Sequence, residues 1–226
     1  MPMSFSSLSS RQKSLLVLAA IFALALALFF LLRPAAVNSV PIAVSADTSV
    51  STSTMAELAP QGAVSEGPIA AKVTVTEFID FQCEGCKQFQ PVMDNIREAY
   101  KGRVRFVIRN YPFVEAHAFT KGAAIAGACA NRQGKFFEYA DMLFANQTKL
   151  TRTDLEGYAK DLGLDGAAFT ACLDDSTVAD MVIHDRIQGQ SLGVRQTPTV
   201  FINDAMLTGI PSEQEFRSLI DSALNN

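Results

Sequence analysis

The longest unbroken hydrophobic run in the chain lies near its start. Leu15 to Leu32 holds 18 residues with no charge and no strongly polar side chain. As a helix it would be about 27 Å long, close to the hydrocarbon thickness of a bilayer. Arg11 and Lys13 precede it and Arg33 and Pro34 close it, a bias that mildly favours an N-terminus on the cytoplasmic side. A cleaved secretory signal is the competing reading, but its apolar core usually runs only about 7–15 residues. The cleavage pattern around Val37-Asn38-Ser39 is also weak. Retained or cleaved, the segment sends the rest of the chain across a membrane. From Pro34 to Glu66 the pattern loses its period and fills with Ala, Val, Ser and Thr, as in a flexible tether with a reach of about 30 Å.

Periodicity returns after Gly67. Val73 to Phe81 (VTVTEFIDF) is β-branched and aromatic on both faces apart from Glu77, which predicts a central strand covered on both sides. Beyond Cys83-Glu84-Gly85-Cys86, apolar residues recur at Phe89, Val92, Met93, Ile96 and Ala99, the stripe of an amphipathic helix. Lys101-Gly102 ends it, and Val104 to Tyr111 reads as a second strand. Glu115 to Ser191 is helical in pattern throughout, about four helices with no room for a strand. Thr197 to Asn203 and Met206 to Gly209 then form an apparent hairpin, and Ser212 to Glu215 is a capping box for a last helix. The order predicts an α/β sheet domain with a helical domain inserted in its middle. The expected parts are a cytoplasmic N-terminus (1–14), a transmembrane signal anchor (15–32), a linker (33–66), a first sheet part (67–114), the insert (115–191) and a second sheet part (192–226).

Composition narrows the function classes. The chain has 226 residues, 49% hydrophobic, with a net charge of −4. Three basic and three acidic residues cancel before Gly67, so the folded part carries all of that charge. That balance argues against a general nucleic-acid binder, which needs a basic face for the phosphates. Two histidines make a His-rich metal site improbable, and His117 and His184 read as surface or cap residues. Four cysteines are too few for a disulfide-dense scaffold.

The chemistry concentrates in Cys83-Glu84-Gly85-Cys86, which directly follows a strand and opens a helix. There the backbone N–H groups and the helix dipole stabilise a thiolate on the first cysteine, and the second resolves a mixed disulfide. Half a zinc site and an inert disulfide compete on spacing alone. The first lacks a second cysteine pair, and the second does not need this strand–turn–helix context. Glu77, six residues upstream, is either a buried carboxyl able to take the proton of Cys86 as it becomes a nucleophile or a surface acid of the strand. Thr197-Pro198 enters a strand, and Pro198 is either cis, leaving the Thr197 backbone open to an extended substrate peptide, or an ordinary strand-start proline.

EFIDFQCEGC followed far downstream by TPTVFIN resembles the DsbA-like thiol–disulfide oxidoreductases of the thioredoxin superfamily. The resemblance runs from about Pro68 to Leu224. It implies a thioredoxin-like fold with an inserted helical domain, Cys83 as nucleophile and Cys86 as resolving cysteine. It further implies Glu77 as buried proton acceptor, a cis Pro198 with Thr197 facing the disulfide, and Phe81 and Gln82 beside the active turn. Members of this branch often carry a second disulfide, which here would join Cys129 and Cys172; two separate thiols are the alternative. The family member DsbA has Pro-His where this chain has Glu84-Gly85, so a less oxidising couple is expected, and Gln196 replaces a frequent glycine.

The resulting expectation is a membrane-tethered, extracytoplasmic enzyme without cofactor or metal that donates the Cys83–Cys86 disulfide to reduced cysteines of exported proteins. A membrane reoxidase or an external oxidant would restore it. A reductase or isomerase using the same dithiol, and a non-catalytic peptide-binding module on the same fold, are the alternatives.

Overall fold

A computed structural model describes residues 52–208 and 210–226. The segments expected at 1–14 and 15–32, and most of the linker, lie outside the described residues. Among the described residues no helix is long and apolar enough to cross a membrane.

Val73–Ile79 (β2) is buried at every position. It pairs in parallel with Val104–Asn110 (β3), Val73 opposite Val104 and Ile79 opposite Asn110. On its other side it pairs antiparallel with Thr199–Ile202 (β4), which turns back into Ala205–Thr208 (β5). Val64–Glu66 (β1) lies antiparallel along β3, giving the order β1-β3-β2-β4-β5. One sheet face is covered by Glu84–Ala99 (α2) and Glu213–Asn225 (α8). Phe89, Met93 and Ile96 of α2 meet Phe216 and Ile220 of α8 over Val75, Phe106 and Val200. The reciprocal Ser212–Glu215 cap starts α8.

Between β3 and β4 stand five helices: Thr120–Asn131 (α3), Phe136–Ala145 (α4), Arg152–Asp161 (α5), Gly166–Leu173 (α6) and Ser176–Ser191 (α7). The pattern predicts about four. The extra boundary is local chemistry, because Asp165 caps α6 by accepting from the Ala168 N–H at 3.0 Å and so separates it from α5. The side-chain caps of α5 and α7 are Thr151 and Asp175. Around α3 a single core gathers Phe136, Tyr139, Leu143, Phe144, Leu155 and Phe169, and takes in Ile79, Phe81 and Cys86 from the sheet domain. The insert is thus packed onto the end of β2. Its last helix, α7, covers the second sheet face. At Gly189 a Cβ would stand 2.8 Å from Tyr111 and 2.9 Å from Phe78, so only glycine lets α7 approach that closely.

The expected tether stops earlier than Glu66. Thr52–Leu58 is helical (α1) and β1 follows it. Leu58 is fully buried with Phe78 and Tyr111, and the buried Arg109 donates from Nη1 to the carbonyls of Glu57 and Leu58. The same guanidinium holds Asp185 at 2.8 Å and Gln188 at 2.5 Å on α7. A seven-residue helix shows too little period to stand out, and a partner 51 residues away supplies what it lacks.

Candidate active site

β2 ends at Ile79, and the buried Asp80 organises the turn into α2. Its carboxylate accepts from the Gln82 N–H at 2.7 Å, the Phe113 N–H at 2.8 Å and the Thr120 hydroxyl at 2.5 Å, and lies 2.8 Å from Nδ1 of His117. Its backbone oxygen accepts from the Cys83 N–H at 3.0 Å. The turn is thereby tied to the entry of the insert, and Cys83 is set as the N-cap of α2 in an extended conformation.

Around Cys83 four elements meet. The Thr197–Pro198 peptide is cis, and the Cys83 thiol donates to the Thr197 carbonyl at 3.2 Å. Gly85 backs onto the same loop, since a Cβ there would lie 3.3 Å from Pro198 Cδ and 3.6 Å from Cys83 Sγ. Glu84 points outward and its carboxylate accepts from Gln88 at 3.3 Å. From the insert, the amide of Gln147 donates to the carbonyls of Phe81 and Cys83, each at 2.9 Å. Both thiols of the pair are free, with Cys83 half-buried and Cys86 1% exposed.

Burial and hydrogen bonding push the two sulfurs apart in acidity. The Cys83 thiolate is favoured first by a hydrogen bond from Cys86, then by Thr197 and by the N–H groups of Cys86 and Gly85 at the helix start. These outweigh partial desolvation and bring its pKa down to about 5. Burial, followed by the hydrogen bond to Cys83 and the charge on that sulfur, pushes Cys86 well up. Glu77 is buried on β2, and desolvation raises its carboxyl to about 8 against the opposing pull of Arg97. At neutral pH the site therefore holds an acidic accessible sulfur, a buried protonated sulfur and a protonated carboxyl beneath. Alkylation of the reduced protein by iodoacetamide is expected to modify Cys83 with a half-maximal rate near pH 5, while Cys86 stays unmodified until the protein unfolds. A Cys83 midpoint near the 9.0 of an ordinary thiol would contradict this electrostatic picture.

The second cysteine pair lies apart from this turn. Cys129 on α3 and Cys172 on α6 are joined by a disulfide, with Cα atoms 5.7 Å apart. Among the described residues no cluster of His, Cys, Asp and Glu is arranged to hold a metal ion. Asp80 and Gln147 are the site residues that sequence reasoning missed. An acid inside the apolar run EFIDF was a usable signal for Asp80, whereas nothing in the sequence around Gln147 marks it. His117, read as a cap or surface residue, is the partner of buried Asp80, while His184 is exposed.

A family model described as thioredoxin matches residues 61–222. The Na(+)/H(+) antiporter NhaA of Herminiimonas arsenicoxydans is 35% identical over 143 residues, which are 63% of this chain and 22% of that protein. NhaA 3 of Salinispora tropica is 37% identical over 137 residues, 61% of this chain and 21% of that protein. The chain thus spans about a fifth of the length of these curated relatives. Among solved structures, BdbD from Bacillus subtilis, in its oxidised form, is similar with a TM-score of 0.66 and 26% identity, covering 73% of this chain and 94% of that one. The thiol–disulfide exchange protein alpha-DsbA2 from Wolbachia pipientis shares the fold with a TM-score of 0.69 at 18% identity, covering 75% and 91%.

Proposed function

The chain belongs to the thioredoxin family, and from that premise we propose that it is a DsbA-like protein thiol–disulfide oxidoreductase that donates the Cys83–Cys86 disulfide to exported proteins. The observation that carries the reading is the asymmetry of the two sulfurs, one acidic and accessible, the other buried and held protonated. A substrate thiolate attacks Cys83 Sγ, the Cys83–Cys86 bond breaks, and Cys86 leaves with the electron pair. Glu77, protonated at neutral pH, gives that sulfur its proton. A second substrate thiolate then attacks the substrate sulfur of the mixed disulfide and releases Cys83 as its stabilised thiolate. The substrate has lost two electrons and two protons; one proton restores Glu77, the other goes to solvent, and the reduced protein is left with Cys83 as thiolate and Cys86 as thiol. Stabilising the thiolate stabilises the reduced form, which drives donation. A Cys83 pKa of about 5 lies above the ~3.5 of DsbA and below the ~7 of thioredoxin, which supports a couple less oxidising than DsbA's.

The Thr197 backbone beside the sulfur is the place for a substrate main chain. Close by, the Phe119 N–H donates to Gln82 at 2.6 Å, and the exposed Phe119 ring borders an apolar cleft of about 200 Å³ with Ile125, Leu155 and Leu173. A signal anchor at 15–32 would keep the enzyme on the outer side of a membrane, where a membrane reoxidase or an external oxidant takes the two electrons. Ion antiport is not proposed, because only about a fifth of the antiporter relatives' length is matched.

Cys86→Ala in intact cells tests the reading. It is expected to accumulate mixed disulfides between Cys83 and exported proteins, while acid-trapped wild-type protein is mostly disulfide. A mostly dithiol pool would favour the reductase alternative, and no trapped adducts would favour the non-catalytic one.

A further inference from the structure

The reactive turn is held from two sides, and the substrate-facing role of the cis-proline loop accounts for only one of them. On the other side Gln147 sits in the turn after α4, half-buried, 64 residues along the chain from Cys83. Both atoms it reaches are carbonyl oxygens, so its side-chain nitrogen must face them and its two N–H groups are both used. The Cys83 carbonyl also accepts the first helical bond of α2, from the Lys87 N–H at 3.2 Å. Phe81 is buried, and Gln147 is the donor to its carbonyl. One amide thus clamps the residue two before the reactive cysteine and that cysteine itself.

We propose that Gln147 is a positioning residue for the exchange reaction: by clamping the Phe81 and Cys83 carbonyls it lets the helical insert fix the Cys83 sulfur against the start of α2. This role rests on the proposed function of the Cys83–Cys86 pair and adds a residue to that site. A carbonyl that accepts from Gln147 has its negative end occupied. The clamp also fixes the turn, so Sγ stays within reach of the Gly85 and Cys86 N–H groups that favour the thiolate. Without the amide the carbonyls turn to water, and the sulfur samples positions with weaker support.

The test uses the full chain with Gln147→Ala and Gln147→Glu. The second keeps the side-chain volume but cannot donate when ionised and adds negative charge. Each is expected to move the midpoint of Cys83 alkylation upward by about half a pH unit to one unit, Glu at least as far as Ala. The glutathione equilibrium should shift towards the Cys83–Cys86 disulfide by about three- to tenfold, the same free energy read another way. A purely structural role would lower the unfolding midpoint and leave the alkylation profile in place, which overturns the proposal. Should one variant not fold, the other still gives the profile. Wild-type protein that fails to exchange with glutathione at all would remove the proposed function, while the alkylation shift, which needs no redox partner, would still decide the role of Gln147.

Discussion

Glu77→Gln is expected to make the folded protein more stable by several kcal/mol at pH 8 and to leave it nearly unchanged below pH 4.5. The sign comes from proton binding. In the folded protein the buried carboxyl keeps its proton up to about pH 8, whereas in the unfolded chain it releases it near the ordinary value of 4.5. Between those limits the unfolded state binds fewer protons, so stability falls as pH rises. A gap of that size corresponds to about 5 kcal/mol at most, and relaxation around the site reduces it. Glutamine keeps the shape and does not titrate, so the difference between the two proteins grows through this window and is constant above it. Denaturant unfolding at a series of pH values, with Cys83–Cys86 oxidised so that neither sulfur titrates, measures it. A difference that does not change with pH would mean that Glu77 is not held neutral by burial. The same substitution is expected to slow exchange, because Gln has no proton to give Cys86 as it leaves. A buried carboxyl that weakens the fold and serves the chemistry is the trade expected of a working site.

The features that could be read from the sequence are those whose cause is local. The β-branched run 73–79 and the stripe on α2 come from side-chain periodicity, and the Ser212–Glu215 cap from residues three apart. The cysteine pair announces itself because its setting, the end of a strand and the start of a helix, is contiguous in the chain. The contacts that position the sulfur are another matter. Asp80 meets Phe113, His117 and Thr120 across 33 to 40 residues, and Gln147 meets Phe81 across 66. These are properties of the folded insert, and no single-chain periodicity encodes them. The early end of the tether has the same origin, since α1 is held by a guanidinium on β3 rather than by its own pattern. Phe81 shows both levels at once: it was legible as an apolar residue beside the active turn, but its packing with Phe136 and Phe144 of the insert was not.

Replacing both Cys129 and Cys172 with Ala is expected to cost about 4 kcal/mol in the chain-entropy account, because their bond closes a long loop in the unfolded chain. The sequence separation is 43 residues. The location makes the link matter more than its size suggests. α3 is built from Thr120, Ala123, Ala124, Ala126, Gly127, Ala128 and Ala130 as its buried residues besides Cys129 itself. Such small side chains let Phe81 and Phe136 approach the helix backbone at Gly127, but they contribute little apolar area of their own. The covalent bond therefore fixes α6 against a helix that has few large side chains to hold it. Chemical denaturation of the double variant should show the loss, and the Cys83 alkylation midpoint should stay near pH 5, because the disulfide makes no contribution to the acidity of that sulfur. A loss below about 1 kcal/mol would mean that the insert retains its order in the unfolded reference state, so that loop closure is not what the bond supplies. A large shift in the Cys83 midpoint would instead show that α3 transmits its position to the active turn through Phe81, a second route beside the Gln147 clamp.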